Sequence, residues 1–243
     1  MQAVILAAGA ARRLRPLTDN TPKCLLDVGG KSLLQRTIDN ITSNGITDFV
    51  FVTGYLNEMI EDHVRSNNPG ISIEFLHNAD FENNNNSYSL WMTRSAVKES
   101  ILLLDSDILF DKGIISELLK CGKENALALN SSHEPDEEQM KVVVDSTGIV
   151  RQIGKHIPLA SSAGESIGIE LFSPYFVNEL YAILNRKIIL ENNVNEFYET
   201  SFQEVIDKGK ESSQIHAVDV SDFMCMEIDT AEDYARAQDI FKN

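Results

Sequence analysis

The 243-residue chain carries 21 lysines and arginines against 37 aspartates and glutamates, a formal net charge of −16. That imbalance argues against a nucleic-acid partner, because phosphate backbones are bound by net positive surface. Hydrophobic residues make up 43% of the chain, enough for a substantial core, yet no apolar run approaches the roughly 20 residues that span a bilayer, so no integral membrane association is expected.

The first expected element is an apolar strand, Ala3 to Leu6, which runs straight into Ala7, Ala8, Gly9, Ala10 and Ala11. It lacks a basic leader and a separate cleavage region, so it reads as a core strand and not as a signal peptide. Arg12, Arg13, Arg15, Pro16, Pro22 and Lys23 follow. Five cations fall between Arg12 and Lys31, against only Asp19 and Asp27. A strand that ends in small side chains and is followed by cations is how an α/β protein receives a phosphate. A small polyanion suits such a local cationic site on an acidic chain, although simple solvation of Arg12 and Arg15 stays open.

A helical period over Lys31 to Asn44 (Leu33, Leu34, Thr37, Ile38, Ile41) stops at Gly45. Phe49 to Val52 is a short apolar strand. Asn57 to Asn67 is a polar helix with Met59, Ile60 and Val64 as its inner stripe. Ile71 to Leu76 alternates as a strand, Ser87 to Val97 is helical, and Ile101 to Leu104 is another strand. A helix near Gly113 to Cys121 and a strand at Ala126 to Leu129 follow. Apolar strands joined by helical crossovers predict a largely parallel sheet with helices on both faces. After Asn130 a polar loop leads to a hairpin, Lys141 to Val144 and Ile149 to Ile153 around Ser146-Thr147-Gly148. Next come a strand at Ser166 to Phe172, helices at about Pro174 to Leu190 and Tyr198 to Lys208, and a strand at Met224 to Ile228. A final helix starts at Ala231 behind Thr230 as N-cap, with Tyr234, Ala237 and Phe241 inward. The expected fold class is α/β: a single Rossmann-like domain over 1–243, with a mostly parallel mixed sheet, a nucleotide-binding half (1–130) and an acceptor-binding half (131–243).

The opening loop contains neither GxxxxGK[ST] nor GxGxxG, so a P-loop enzyme and a hydride-transfer enzyme are both disfavoured. The remaining reading is a loop for a nucleoside triphosphate with Arg13 and Lys23 as counter-charges. Leu6-Ala7-Ala8-Gly9, Arg13-Leu14 and Thr18-x-x-x-Pro22-Lys23 resemble the nucleotidyltransferase superfamily of sugar-nucleotide pyrophosphorylases, usually written L-A-A-G-x-G-[ST]-R-L…P-K-P-L. Ala11 stands at the second glycine, Arg12 at the small polar residue and Cys24 at a proline. An alanine fits the glycine position provided its φ stays negative. Asn85-Asn86-Ser87-Tyr88-Ser89-Leu90-Trp91, Met140-Lys141-Val142, Ile153-Gly154-Lys155, Glu165-Ser166-Ile167-Gly168-Ile169, Phe197-Tyr198-Glu199 and Glu227-Ile228-Asp229 are similar, in order, to motifs of the bacterial choline-phosphate cytidylyltransferase branch. That branch also contains enzymes of 2-aminoethylphosphonate and inositol phosphate.

Asp105-Ser106-Asp107 ends an apolar strand, where α/β sheets present ligands, and alternation points both carboxylates to one side. Magnesium takes one or two carboxylates plus substrate phosphates. The resemblance implies Mg²⁺ on Asp107 and Asp229. It further implies a nucleotide on Leu6, Ala7, Ala8, Gly9, Ala10, Asn85, Ser89 and Asp105, and chemistry by Arg13, Lys23 and Lys141. Lys141, Glu165, Tyr198 and Glu199 would bind the acceptor. CTP and a small phosphorylated or phosphonylated amino-alcohol are the implied partners, phosphocholine ahead of 2-aminoethylphosphonate. A sugar-1-phosphate or inositol-phosphate nucleotidyltransferase is the alternative, and a non-catalytic nucleotide-binding regulator a remoter one. Three widely spaced cysteines without CxxC suggest a reducing cytoplasm and no zinc site. The five histidines lack ligand spacing and read as surface or packing residues; Trp91 reads as core. A homodimer is left open.

Overall fold

The computed structural model describes residues 1–132 and 137–241, so His133 and part of the polar loop after Asn130 lie outside the described residues. β1 (Gln2–Ala7) enters a loop that holds two short 3₁₀ turns, Arg12–Leu14 and Lys23–Leu25. The small ribbon β2 (Asp27–Val28) and β3 (Lys31–Ser32) then leads into α1 (Leu33–Ser43). The helix therefore begins two residues after Lys31, because Ser32 caps it by accepting from the Gln35 amide at 3.2 Å. Gly45 (φ 84°) ends the turn beyond it, as expected.

There follow β4 (Asp48–Thr53), α2 (Asn57–Asn67), β5 (Ser72–His77), α3 (Asn86–Met92), β6 (Ile101–Asp105), β7 (Ile108–Phe110), α4 (Gly113–Lys120) and β8 (Ala126–Asn130). The second half adds the hairpin β9 (Lys141–Val144) and β10 (Val150–Gly154), the long β11 (Gly164–Phe172), and α5 (Pro174–Asn185), which passes into a π-helical turn at Arg186–Leu190. α6 (Glu199–Asp207), β12 (His216–Asp219), β13 (Cys225–Glu227) and α7 (Ala231–Ile240) complete it. Thr230 caps α7 in a reciprocal capping box with Asp233.

The main sheet runs β10-β9-β11-β6-β1-β4-β5, with β8 on β11 and β12 on β8. β6, β1, β4 and β5 are parallel, whereas β11 runs antiparallel to β6, β8 and β9, so the sheet is mixed. Alternation along β1 sorts the core. Val4 and Leu6 face a layer with Trp91, Phe176 and Phe202 from α3, α5 and α6. Ala3, Ile5 and Ala7 face a second layer with Ile38, Ile60 and Ile114 from α1, α2 and α4. Trp91 is a core residue, as expected. Among the described residues no helix is long and apolar enough to cross a membrane.

β7 and β12 have no counterpart in the sequence reading. β7 is only three residues long and follows β6 after a two-residue turn, and β12 alternates without a strong apolar face. β7 matters for function: its antiparallel partner is β13, outside the main sheet.

Candidate active site

The loop after β1 is pinned from below. The Ala8 carbonyl accepts from the Tyr55 amide at 3.0 Å. A Cβ on Gly54 would lie 2.6 Å from that carbonyl oxygen, so only glycine allows this approach. Ala11 occupies the left-handed region (φ 44°, ψ 51°), which corrects the expectation of a negative φ at the position where a glycine is usual. The strain is offset by hydrogen bonding: the Ala11 carbonyl accepts from the Leu14 amide at 3.1 Å and from Thr18 Oγ1 at 3.0 Å. A left-handed residue followed by helical ones turns consecutive amides toward one concavity, the geometry that receives anions. Leu6, Ala7 and Ala8 are buried beneath it, while Gly9 is exposed and Ala10 half-buried.

β1 and β6 end at the same edge, Leu6 beside Asp105. The β7–β13 ladder then places Glu227 opposite Ile108, and the Ile228 amide donates to the Asp107 carbonyl at 3.1 Å. This ladder joins two carboxylates 122 residues apart in the chain. Lys23 Nζ lies between them, donating to Asp107 Oδ2 at 2.8 Å and Asp229 Oδ1 at 2.6 Å, and Arg13 Nη2 donates to Asp229 Oδ2 at 2.7 Å. Burial works against the charge on Lys23, but the two aspartates raise its pKa above the ordinary lysine value. Against the same opposing effect of burial, Lys23 and Arg13 hold Asp229 below the ordinary carboxylate value.

The Lys23 ammonium acts as a stand-in cation and shows that Asp107 and Asp229 converge on one positive charge. No group of three or more His, Cys, Asp or Glu among the described residues could hold a metal. Two carboxylates fit a divalent cation that takes its other oxygens from substrate phosphates.

Asp105 and Asp107 meet different partners, Tyr198 and Lys23. Strand β6 ends at Asp105 and the chain turns through Ser106, so the two-residue period expected to align them is broken. Asp105 Oδ2 accepts from the Tyr198 hydroxyl at 3.0 Å. Gly168 (φ 69°) packs directly on this carboxylate, and a Cβ there would come within 2.9 Å of Asp105 Oδ2. Burial, with Asp107, Glu199 and Glu227 near by, pushes the Asp105 pKa well up.

Around Tyr198 lies a cluster of buried acidic groups. Tyr198 and Glu170 are fully buried and Glu199 nearly so. Oε2 of Glu170 and of Glu199 has no hydrogen-bond partner among the described residues. Burial raises Glu199 to about 7, and burial together with Asp105 and Glu199 raises Glu170 well above its ordinary value. Tyr198 thus presents its hydroxyl to Asp105 and buries its ring against Phe202. Lys141, expected to bind the acceptor, is buried, and its ammonium donates to the carbonyls of Glu137 at 3.1 Å and Gln139 at 3.4 Å. Glu165 sits beside it in register on β11.

Asn85 and Ser89 are engaged locally: Asn85 caps α3 by accepting from the Asn86 amide at 2.8 Å, and buried Ser89 accepts from Asn78 Nδ2 at 3.1 Å. Two features were not singled out by sequence reasoning. Glu170 was hidden inside an apolar strand, where its charge was the only signal. The ion pair of Arg12 with Glu82, 2.8 Å long across 70 residues, left no sequence signal at all. The cysteines are free, and burial raises Cys24 to about 12, which makes it an inert thiol.

The loop after β1, two cations and two converging carboxylates thus stand together at the end of a mixed sheet, where α/β folds present ligands. The sequence profile of the nucleotidyl transferase family matches residues 2–153. Over its whole length the chain is 24% identical to choline-phosphate cytidylyltransferase of Streptococcus pneumoniae, covering 99% of that protein. It is 27% identical to CTP:phosphoglutamine cytidylyltransferase of Campylobacter jejuni, over 96% of the chain and 97% of the relative. The solved inositol-1-phosphate CTP transferase from T. maritima superposes with a TM-score of 0.80 at 23% identity, over 100% of this chain and 96% of that one. The chain belongs to the nucleotidyl transferase family and is a nucleotidyltransferase.

Proposed function

We propose that the enzyme transfers CMP from CTP to a small phosphorylated or phosphonylated acceptor that carries an amine, phosphocholine first and 2-aminoethylphosphonate second, and releases pyrophosphate. The observation that carries this reading is the Lys23 ammonium held between Asp107 and Asp229, beside the loop of Ala8 to Arg13. Magnesium on those two carboxylates would neutralise triphosphate charge and polarise the α-phosphate.

The acceptor's phosphate oxygen is already anionic, so the chain needs no strong general base. It has to position two anions and neutralise the charge that brings them together. Arg13 holds the β- and γ-phosphates. Lys23 exchanges its aspartates for the α-phosphate and the incoming acceptor oxygen. Lys141 holds the acceptor's phosphate or phosphonate, and Asn85 and Ser89 read the base. Attack is in line: the acceptor oxygen bonds to the α-phosphorus as the bond to the pyrophosphate oxygen breaks. The partnerless oxygens of Glu199 and Glu170 support a cationic head group on the acceptor, since an ammonium there offsets the cost of burying them. The relatives' activities, with phosphocholine, phosphoglutamine and inositol phosphate as acceptors, agree on a cytidylyl donor and differ in the acceptor.

A pyrophosphate-release screen of CTP, UTP, ATP and GTP against phosphocholine, 2-aminoethylphosphonate, inositol 1-phosphate and glucose 1-phosphate tests this. Turnover should be confined to CTP with a cationic acceptor. Faster turnover of a neutral sugar or inositol phosphate would move the enzyme to the alternative class.

A further inference from the structure

The phosphate loop carries a second arginine whose partner lies on another segment. Arg12 Nη2 donates to Glu82 Oε1 at 2.8 Å, while its neighbour Arg13 goes to Asp229. Arg12 and Glu82 line, with Ala10, Ala11, Arg13 and Phe81, a cavity of about 320 Å³ at the outer side of the loop. Both side chains are solvent-exposed, 65% for Arg12 and 59% for Glu82. An exposed pair of this kind holds weakly and opens readily.

Resting on the nucleotidyl-transfer reading, we propose that Arg12 is a triphosphate-binding residue which Glu82 holds across the mouth of this cavity until nucleotide displaces the carboxylate. A guanidinium matches phosphate with two parallel hydrogen bonds, and a triphosphate offers more negative charge than one carboxylate. Arg12 stands on the same loop turn as Arg13, immediately after the left-handed Ala11, so the phosphates that reach Arg13 pass beside it. Glu82, left at the cavity wall, repels the same phosphates. The two halves of one ion pair therefore act on nucleotide binding with opposite signs. A purely structural tie would behave differently, because losing either half would weaken binding equally.

Calorimetric titration of CTP with magnesium, and of inorganic pyrophosphate, into the unaltered protein, Arg12→Ser and Glu82→Gln reads those signs. Arg12→Ser should weaken both ligands about tenfold and raise the KM for CTP while sparing kcat. Glu82→Gln should tighten both about two- to threefold, and both effects should shrink as salt is raised. CMP, which lacks the outer phosphates, should respond to neither change. Equal weakening by both variants, or no effect of Arg12→Ser in a folded protein, would overturn the inference and leave the nucleotidyl-transfer reading intact. Failure of the unaltered, folded protein to bind any nucleotide would overturn both.

Discussion

The two ends of the site handle charge in opposite ways. At the end beside the loop after β1, Arg13 and Lys23 meet Asp107 and Asp229, so each carboxylate is matched by a cation within 2.8 Å. At the other end, Asp105, Glu170 and Glu199 gather near Tyr198 with no matching cation in contact among the described residues; Lys155 is near enough to Glu199 to lower its pKa, but burial dominates. The first arrangement is balanced and can exchange partners at small cost, because every ion that leaves is replaced by another. The second is out of balance, and the carboxyl groups remain buried by staying protonated well above their ordinary range. On the proposed function, the polyanion enters at the balanced end and a cation is favoured at the other.

The largest effect should come from breaking the balanced end. Asp107→Asn or Asp229→Asn should lower turnover by about 10³-fold, on the scale of removing one charge that stabilises a transition state. The far-ultraviolet circular dichroism should be unchanged. Near-normal rates at saturating magnesium would detach these carboxylates from the chemistry.

The next prediction sharpens the contrast. Glu199→Gln should raise the acceptor's KM about tenfold while leaving that of CTP unchanged, with the greatest loss for cationic acceptors. Steady-state kinetics with phosphocholine and a neutral phosphate, run side by side, separates the two substrates. An equal loss for both acceptors would assign Glu199 to packing alone.

Ligand linkage offers a smaller readout. CTP with magnesium at 100 times its Kd should add about 2.7 kcal/mol and raise the melting temperature by roughly 5–10 °C, whereas NAD should leave it unmoved. Differential scanning fluorimetry is sufficient, and stabilisation by NAD alone would restore the hydride-transfer reading.

The smallest effect concerns the unbalanced end itself. Glu199 has its pKa raised to about 7 from an ordinary 4.5 by burial, against the opposing pull of Lys155, with Asp105, Glu170 and Tyr198 packed around it. A carboxyl group raised on folding binds more protons in the native state. Its contribution is complete below pH about 4.5 and is lost as pH rises through about 7. Glu199→Gln should therefore melt higher than the unaltered protein at pH 8 and match it at pH 4.5. A melting difference independent of pH would show that the native protein holds Glu199 with an ordinary pKa.

Much of the fold was legible because local and tertiary preferences agree. The inner stripe of α1, the N-cap Thr230, the stop at Gly45 and the apolar strands β1, β4 and β6 are all set by residues within a few positions of one another. The loop from Leu6 to Lys23 stands out in the sequence because small residues and cations are contiguous there, and the phosphate-receiving role it suggests belongs to the proposed function. Long-range pairing decided the rest. β7 is too short to announce itself, yet only its ladder with β13 brings Asp107 to Asp229. The opposite environments of Asp105 and Asp107 depend on where β6 stops and on Gly168 arriving from β11, which no alternation rule contains. Ala11 shows the same limit from the other side: its side chain favours negative φ, and the bonds that Leu14 and Thr18 make to its carbonyl hold it at +44°. Sequence alone supplied the candidate groups, because chemistry belongs to residue types. Their partners, burial and charge states were decided by the tertiary structure, because each depends on segments that are neighbours only in space.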